Sequence, residues 1–295
     1  MILIEKHIVP EGVQDVRLVD YALSIFPTIP TRNALKKIIK RGEILINGTT
    51  AEGGNWILPG QEMELIDLET KIPQPFPLDF EIIFEDNFLA VINKPPGISV
   101  SGNKFETIQN AIIGKLSQSK EDDALKFPRP VHRLDYSTSG LLLIAKTASA
   151  LADLGWRFEN RKVSKKYRAI VIGKISEEGL INTPINGQEA ITRFVLLKHS
   201  PSLHTDWISL IDLFPLTGRT HQLRIHMADA GFPILGDKKY GAIDKALKGK
   251  GLFLAAVELS FIHPSSKKQV TFQIPQPEKF SSFPARETRR WKKYQ

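Results

Sequence analysis

Apolar and polar positions alternate with helical spacing over residues 31–42. Leu35, Ile38 and Ile39 share one face, while Arg32, Lys36 and Lys40 recur every fourth residue on the other, beside Lys37 and Arg41. Thr31 is placed to cap this helix and Gly42 to stop it. Ile44-Leu45-Ile46 then reads as a short strand entering an Asn47-Gly48 turn, and Met63–Ile66 as a closing strand after the turn at Pro59-Gly60. Residues 71–77 hold three prolines and favour an extended conformation, so the expected linker is 71–79. Beyond it, short apolar runs predict strands at 80–84, 88–93, 140–145, 167–172, 207–213 and 270–274, with helices at 106–116, 147–160 and 219–230. Strands outnumber helices without alternating strictly, which argues an α+β fold with a mixed or antiparallel sheet. The polar segment 117–127 reads as a loop. The expected division is a module at 1–70, a larger domain at 80–280, and a basic, mobile tail at 281–295.

Composition changes this picture in three ways. Formal net charge is +8 with a pI near 9.5, which suits a polyanionic partner without fixing fold or function. The excess is uneven. Residues 263–295 hold eight basic and two acidic side chains, whereas 1–72 hold eight and ten, so the acid-free run Arg32–Arg41 stands out against an acidic background. Cysteine is absent, which excludes disulfides, zinc–thiolate sites and every thiol nucleophile. With no run of 18 apolar residues and only a short apolar stretch before the first N-terminal charges, the expectation is a cytoplasmic protein, outside the membrane and monomeric.

Four stretches hold candidate chemistry. His132-Arg133-Leu134-Asp135-Tyr136-Ser137-Thr138-Ser139-Gly140 puts a carboxylate in a small polar loop before an apolar strand; Asp135 there is either catalytic or a turn cap. Lys165-Lys166-Tyr167-Arg168-Ala169 alone reads as an edge-strand aromatic covered by cationic stems. Leu216-Thr217-Gly218-Arg219-Thr220-His221-Gln222-Leu223-Arg224-Ile225-His226 begins as a turn and continues helically. Its two histidines are five apart, so metal ligation from one helix face is disfavoured. Asn93-Lys94-Pro95-Pro96-Gly97 is a strand end broken by prolines, read as a structural turn.

Taken in order, these stretches resemble the RluA-type pseudouridine synthases from about residue 80 to 275. Residues 15–68, with Gly42-x-x-x-Ile46-Asn47-Gly48, resemble the small RNA-binding module named after ribosomal protein S-four. The second resemblance implies RNA contacts by Arg32, Lys36, Lys37, Lys40 and Arg41. The first implies that Asp135 is the catalytic aspartate, Tyr167 the active-site tyrosine, and Arg133 the residue that displaces the target base. It makes Arg224 the best match for the basic partner of Asp135, with Arg219 close by, and Leu254 the apolar wall beneath the uracil. Ala255 departs from the histidine common at that place.

The implied reaction breaks the ribose–uracil bond, turns the base and rejoins it through carbon 5, so no cofactor and no metal are expected. Asp135 either attacks the anomeric carbon or removes the 2′ proton, and the sequence leaves both routes open. The target must first leave the stack, at a cost of a few kcal/mol. The expected partner is RNA, with ribosomal RNA of the large subunit favoured and tRNA the alternative. A catalytically silent ribosome-assembly factor, and a glycosidase or nuclease, are the other readings. A glycosidase needs paired carboxylates, and the four stretches hold one.

Overall fold

The computed structural model describes residues 2–29, 31–67, 74–241 and 250–294, and it divides into two units, Met1–Pro73 and Gln74–Gln295. The first unit runs β1 (Ile2–Ile8), β2 (Val16–Arg17), α1 (Leu18–Ile25), α2 (Arg32–Lys40), β3 (Ile44–Ile46), β4 (Thr49–Thr50), β5 (Trp56–Ile57) and β6 (Glu62–Asp67). The Thr31 hydroxyl accepts from the Ala34 N–H at 3.1 Å and caps α2, and Gly42 ends it at a φ of +74°. Leu35 and Ile39 are buried against Leu18, Ala22 and Phe26. Asn47 and Gly48, both at positive φ, turn β3 into β4, and the Asn47 side chain accepts from the Glu62 N–H at 2.8 Å to fix the sheet order β1-β6-β3-β4.

The basic run is less isolated than its sequence suggests. Asp20 on α1 meets Arg32 at 3.0 Å, and Glu43 just beyond the helix takes Arg41, because packing returns acids that lie outside the run. Lys36, Lys37 and Lys40 are exposed.

The second unit continues with β7 (Glu81–Glu85), β8 (Leu89–Lys94), α3 (Ile108–Ala111), β9 (Ala124–Pro130), β10 (Ser139–Thr147), α4 (Ala148–Glu159), β11 (Ser164–Ile172), β12 (Glu178–Ile181), β13 (Thr192–Ser202), β14 (Asp206–Pro215), α5 (Gln222–Asp229), β15 (Leu254–Ile262), β16 (Gln269–Gln273) and α6 (Lys279–Tyr294). The ten strands form one sheet, with the path β12-β13-β14-β11-β15-β10-β8-β7, β16 on β15 and β9 on β10. The sheet is mixed. Among the described residues its one parallel strand pairing joins β10 to β15, and the other strand pairings are antiparallel. At that junction Gly140 has a φ of +111°, and a Cβ there would lie 2.1 Å from the Ala256 carbonyl oxygen, so only glycine fits.

Alternation along β11, β14 and β15 separates two faces. Tyr167, Ala169, Val171, Ile211, Leu213 and Leu254 pack on one side with Leu223 and Met227 of α5. Ile170, Ile172, Ile208, Phe253, Ala255 and Val257 pack on the other with Phe280 and Phe283 of α6. Ala255, the position that departs from the resembled pattern, therefore faces away from Tyr167 and Leu254.

Four expectations need correction. Residues 281–294 are not a mobile tail. Phe280, Phe283 and Glu287 recur on one face of α6 and are buried, a pattern hidden by the segment's high overall charge. Of the expected linker, 71–73 lie outside the described residues, while Phe76 and Leu78 pack against the second unit's core with Phe80. The polar segment 117–127 is not wholly a loop, since β9 begins at Ala124 and pairs with β10. The helix expected at 106–116 shortens to Ile108–Ala111.

Candidate active site

The His132–Gly140 loop delivers Asp135 to the end of a cavity of about 370 Å³, within the range of small-molecule sites. Two turns shape it. The Thr138 N–H donates to the Asp135 carbonyl at 3.0 Å, and the Gly97 N–H donates to the Tyr136 carbonyl at 2.8 Å. Beneath them, fully buried Lys94 gives its ammonium to the carbonyls of Pro95 and Ile98 at 2.9 Å, and to Tyr136 at 3.4 Å. Burial lowers the Lys94 pKa to about 8, against the opposing pull of the Asp135 charge. The proline turn is thus structural, and what it holds in place is the Asp135 loop.

Arg224 comes from α5, whose start is built by Gln222. That side chain accepts from the Thr217 hydroxyl at 2.7 Å and the Arg219 N–H at 3.0 Å, and donates to the Ile191 carbonyl at 2.9 Å. Arg224 forks onto Asp237, Nε to Oδ2 at 2.7 Å and Nη2 to Oδ1 at 2.8 Å, leaving Nη1 facing Asp135 Oδ2 at 3.4 Å. Burial pushes Asp237 up, but Arg224 and the N–H groups of Tyr240 and Lys239 outweigh it and hold the carboxyl below its ordinary value. Arg219 lines the same cavity, but its Nε donates to the Glu189 carbonyl at 3.0 Å and not to Asp135. The arginine facing Asp135 is Arg224.

The remaining lining is mostly neutral. Tyr167 is half-buried between two apolar clusters, and burial together with the Asp135 charge raises its pKa, so the phenol stays protonated near neutrality. Leu254 is buried and borders the cavity two residues along β15 from the partner of Tyr167. Arg133 is exposed at the cavity mouth, free of the packing that holds Arg224. His132 stacks on Phe158 with centroids 4.4 Å apart and accepts from the Leu143 N–H at 3.1 Å. Burial, helped by Lys165, lowers its pKa to about 3, so it is a neutral packing group. Burial also lowers Lys165, at the cavity wall, to about 8.

Several members were not foreseen. His221, at a φ of +57°, hydrogen-bonds Tyr240 at 2.9 Å and places Nε2 3.8 Å from Asp135. Its pKa is lowered by burial, which outweighs the Asp135 charge. Asp237 and Tyr240 lie in Gly236-Asp237-Lys238-Lys239-Tyr240-Gly241, an acid and an aromatic between glycines that was there to be read. Glu159 borders the cavity at its exposed rim. The basic residues 32, 36, 37, 40 and 41 belong to the other unit, where Lys36, Lys40 and Arg41 line a groove with Thr50 and Gly53 and Arg32 and Lys37 do not.

Residues 88–229 match the family model described as RNA pseudouridylate synthase. The chain is 32% identical over 305 residues to an uncharacterized RNA pseudouridine synthase of Aquifex aeolicus, covering 92% of this chain and 93% of that one. It is 34% identical over 297 residues to a ribosomal large subunit pseudouridine synthase D of Zymomonas mobilis, covering 88% and 90%. Among solved structures, human RNA pseudouridylate synthase domain containing 1 superposes with a TM-score of 0.57 at 26% identity, over 68% of this chain and 84% of that one. Asp135, Tyr167, Arg224 and Leu254 meet in the matched unit, and the chain belongs to the RNA pseudouridine synthase family.

Proposed function

We propose that this protein converts uridine to pseudouridine in large-subunit ribosomal RNA, with Asp135 as the group that attacks the anomeric carbon or removes the 2′ proton. The observation that carries the reading is the cavity itself. Asp135 lines it with an arginine fork beside it, Tyr167 and Leu254 line it too, and exposed Arg133 borders it. Target uridine enters by base flipping, and Arg133 takes its place in the stack. Leu254 forms an apolar floor under the uracil, and the Tyr167 ring stacks on it. A phenol held in its neutral form favours stacking and hydrogen bonding over acting as a ready base. Arg224 holds the Asp135 carboxylate in orientation while its own fork is fixed by Asp237.

The first unit fits the role of an RNA grip in which Lys36, Lys37 and Lys40, with Arg32 and Arg41, meet phosphates. A module of this kind in the same chain as a uridine cavity suits a large folded RNA, and the relatives named for the ribosomal large subunit support that choice. The reading takes the protein as a cytoplasmic monomer. The test maps pseudouridines in ribosomal RNA and tRNA from cells with and without the gene. Loss of marks in large-subunit RNA is expected; loss confined to tRNA overturns the substrate assignment.

A further inference from the structure

Helix α6 carries Arg286, Arg289, Arg290 and Lys293 at the i, i+3, i+4, i+7 spacing of a single stripe, and all four are exposed. Its one acid, Glu287, is buried against the sheet, accepting from the Ser202 hydroxyl at 2.9 Å and from Arg290 at 3.2 Å. The stripe is therefore held rigidly: Phe280 and Phe283 seat the helix on Phe253, and Lys279 donates to the Leu252 carbonyl at 2.7 Å. This is the face of the sheet opposite the one that bears Tyr167 and Leu254.

We infer that α6 is a second RNA-binding surface, on the back of the catalytic unit, which takes the phosphate backbone of a helix other than the one that presents the target uridine. The inference deepens the proposed function and rests on it. Charge complementarity selects the occupant. At 1.5 Å per residue the stripe is about 10 Å long, and that length of one strand of a duplex carries about three phosphates. Geometry separates this occupant from the RNA in the cavity. Phe280 and Phe283 start α6 over β11 and β15, but at Glu287 the helix is bonded to Ser202 of β13, two strands or about 10 Å across the sheet from β11, with only β12 beyond before the edge. That edge carries exposed Glu177 and Glu178, which repel a phosphate backbone continuing round from the cavity. The RNA that satisfies both faces is large and folded, with a second helix brought behind the enzyme by its own tertiary structure.

The experiment uses the full chain and the fourfold variant R286Q/R289Q/R290Q/K293Q, whose side chains are all exposed; Arg290 alone also bonds buried Glu287, which keeps its Ser202 hydroxyl partner. Equilibrium binding is measured against salt for an unmodified large-subunit RNA transcript and for a short stem-loop around the uridine found by mapping. The variant should bind the transcript about tenfold more weakly at low salt, with the log–log salt slope flattened by about 2–3. Stem-loop binding and single-turnover rate should match wild type. Unchanged transcript affinity and slope overturn the inference, as does equal weakening of both RNAs. Polyglutamate captured by wild type but not by the variant, with transcript binding unchanged, assigns the stripe to an acidic protein and also overturns it. If mapping finds no uridine, the proposed function has failed, while the transcript's salt slope still reads α6.

Discussion

Replacing Asp237 by Asn tests whether the Arg224 fork is what makes the site. The substitution keeps shape, and Oδ1 can still accept from the Lys239 and Tyr240 N–H groups at 2.9 and 3.1 Å. What changes lies at Oδ2, where an amide N–H₂ would face the Arg224 Nε that now donates at 2.7 Å, donor against donor. Both side chains are buried, 9% and 1% exposed, so the pair is barely screened by solvent. Breaking a buried pair by removing one charge costs about 3–5 kcal/mol. Asp135 remains as a second counter-charge at 3.4 Å, so the lower end applies. A loss of about 3 kcal/mol lowers the melting temperature of a unit this size by about 6–12 °C. The guanidinium then turns toward Asp135 and pulls the carboxylate off its line, and a misplacement of about 1 Å costs about a hundredfold in rate. The assays are thermal unfolding by circular dichroism and single-turnover release of tritium from carbon 5 of uridine in the RNA. A melting temperature within about 1 °C of wild type, together with a rate within about twofold, would refute the role given to the fork.

Asp135→Asn should fold and bind RNA as wild type does, yet convert no uridine; turnover above about one percent of wild type rules Asp135 out as the essential group. His132 is neutral in the fold with a pKa of about 3, while the unfolded chain protonates it near 6.5, so stability should fall as pH drops from 6.5 toward 3. At about 1.4 kcal/mol per pH unit the total reaches about 4–5 kcal/mol, and His132→Gln should remove that part of the slope in urea titrations. Equal slopes for both proteins would show that His132 is not kept neutral by burial. The variant K36Q/K37Q/K40Q should flatten the salt dependence of RNA binding by about 2–3 in log–log slope, and an unchanged slope would make that face of α2 merely solvated.

Much of the fold was legible because its signals are local. The Thr31 cap, the Gly42 stop and the Asn47-Gly48 turn each act within four residues, and each does in the structure what its chemistry predicts. Strand β10 after the Asp135 loop and its neighbour β8 were equally visible, since both of their faces are buried and read as apolar runs. The tail failed for the opposite reason. In α6 three buried residues in eight positions suffice to seat the helix, and an average over fifteen mostly polar and charged residues conceals them. Strand β9 failed because its polar residues are paired to β10 through backbone groups that no side-chain pattern reports. The salt-bridged ends of the basic run escaped notice because Asp20 is twelve positions from Arg32 and is brought back only by packing of α1 against α2.

The same distinction decides the site. Asp135 and Tyr167 could be named from their motifs, but the choice between Arg219 and Arg224 depended on a residue outside all four stretches. Both arginines stand within one turn and one short helix, and either could reach a carboxylate at that end of the cavity. Asp237 settles it by taking Nε and Nη2 of Arg224 and leaving one edge of the guanidinium for Asp135. Asp237 also means that a second carboxylate stands near the first, which the sequence alone had argued against. It cannot serve as the partner acid of a glycosidase. Its oxygens receive two hydrogen bonds from Arg224 and two from backbone N–H groups, and that coordination holds the carboxyl ionised, whereas a general acid must carry a proton. Two carboxylates beside one arginine therefore divide the work: Asp237 is saturated and holds the arginine, and Asp135 has one long contact to it and an open cavity on its other side.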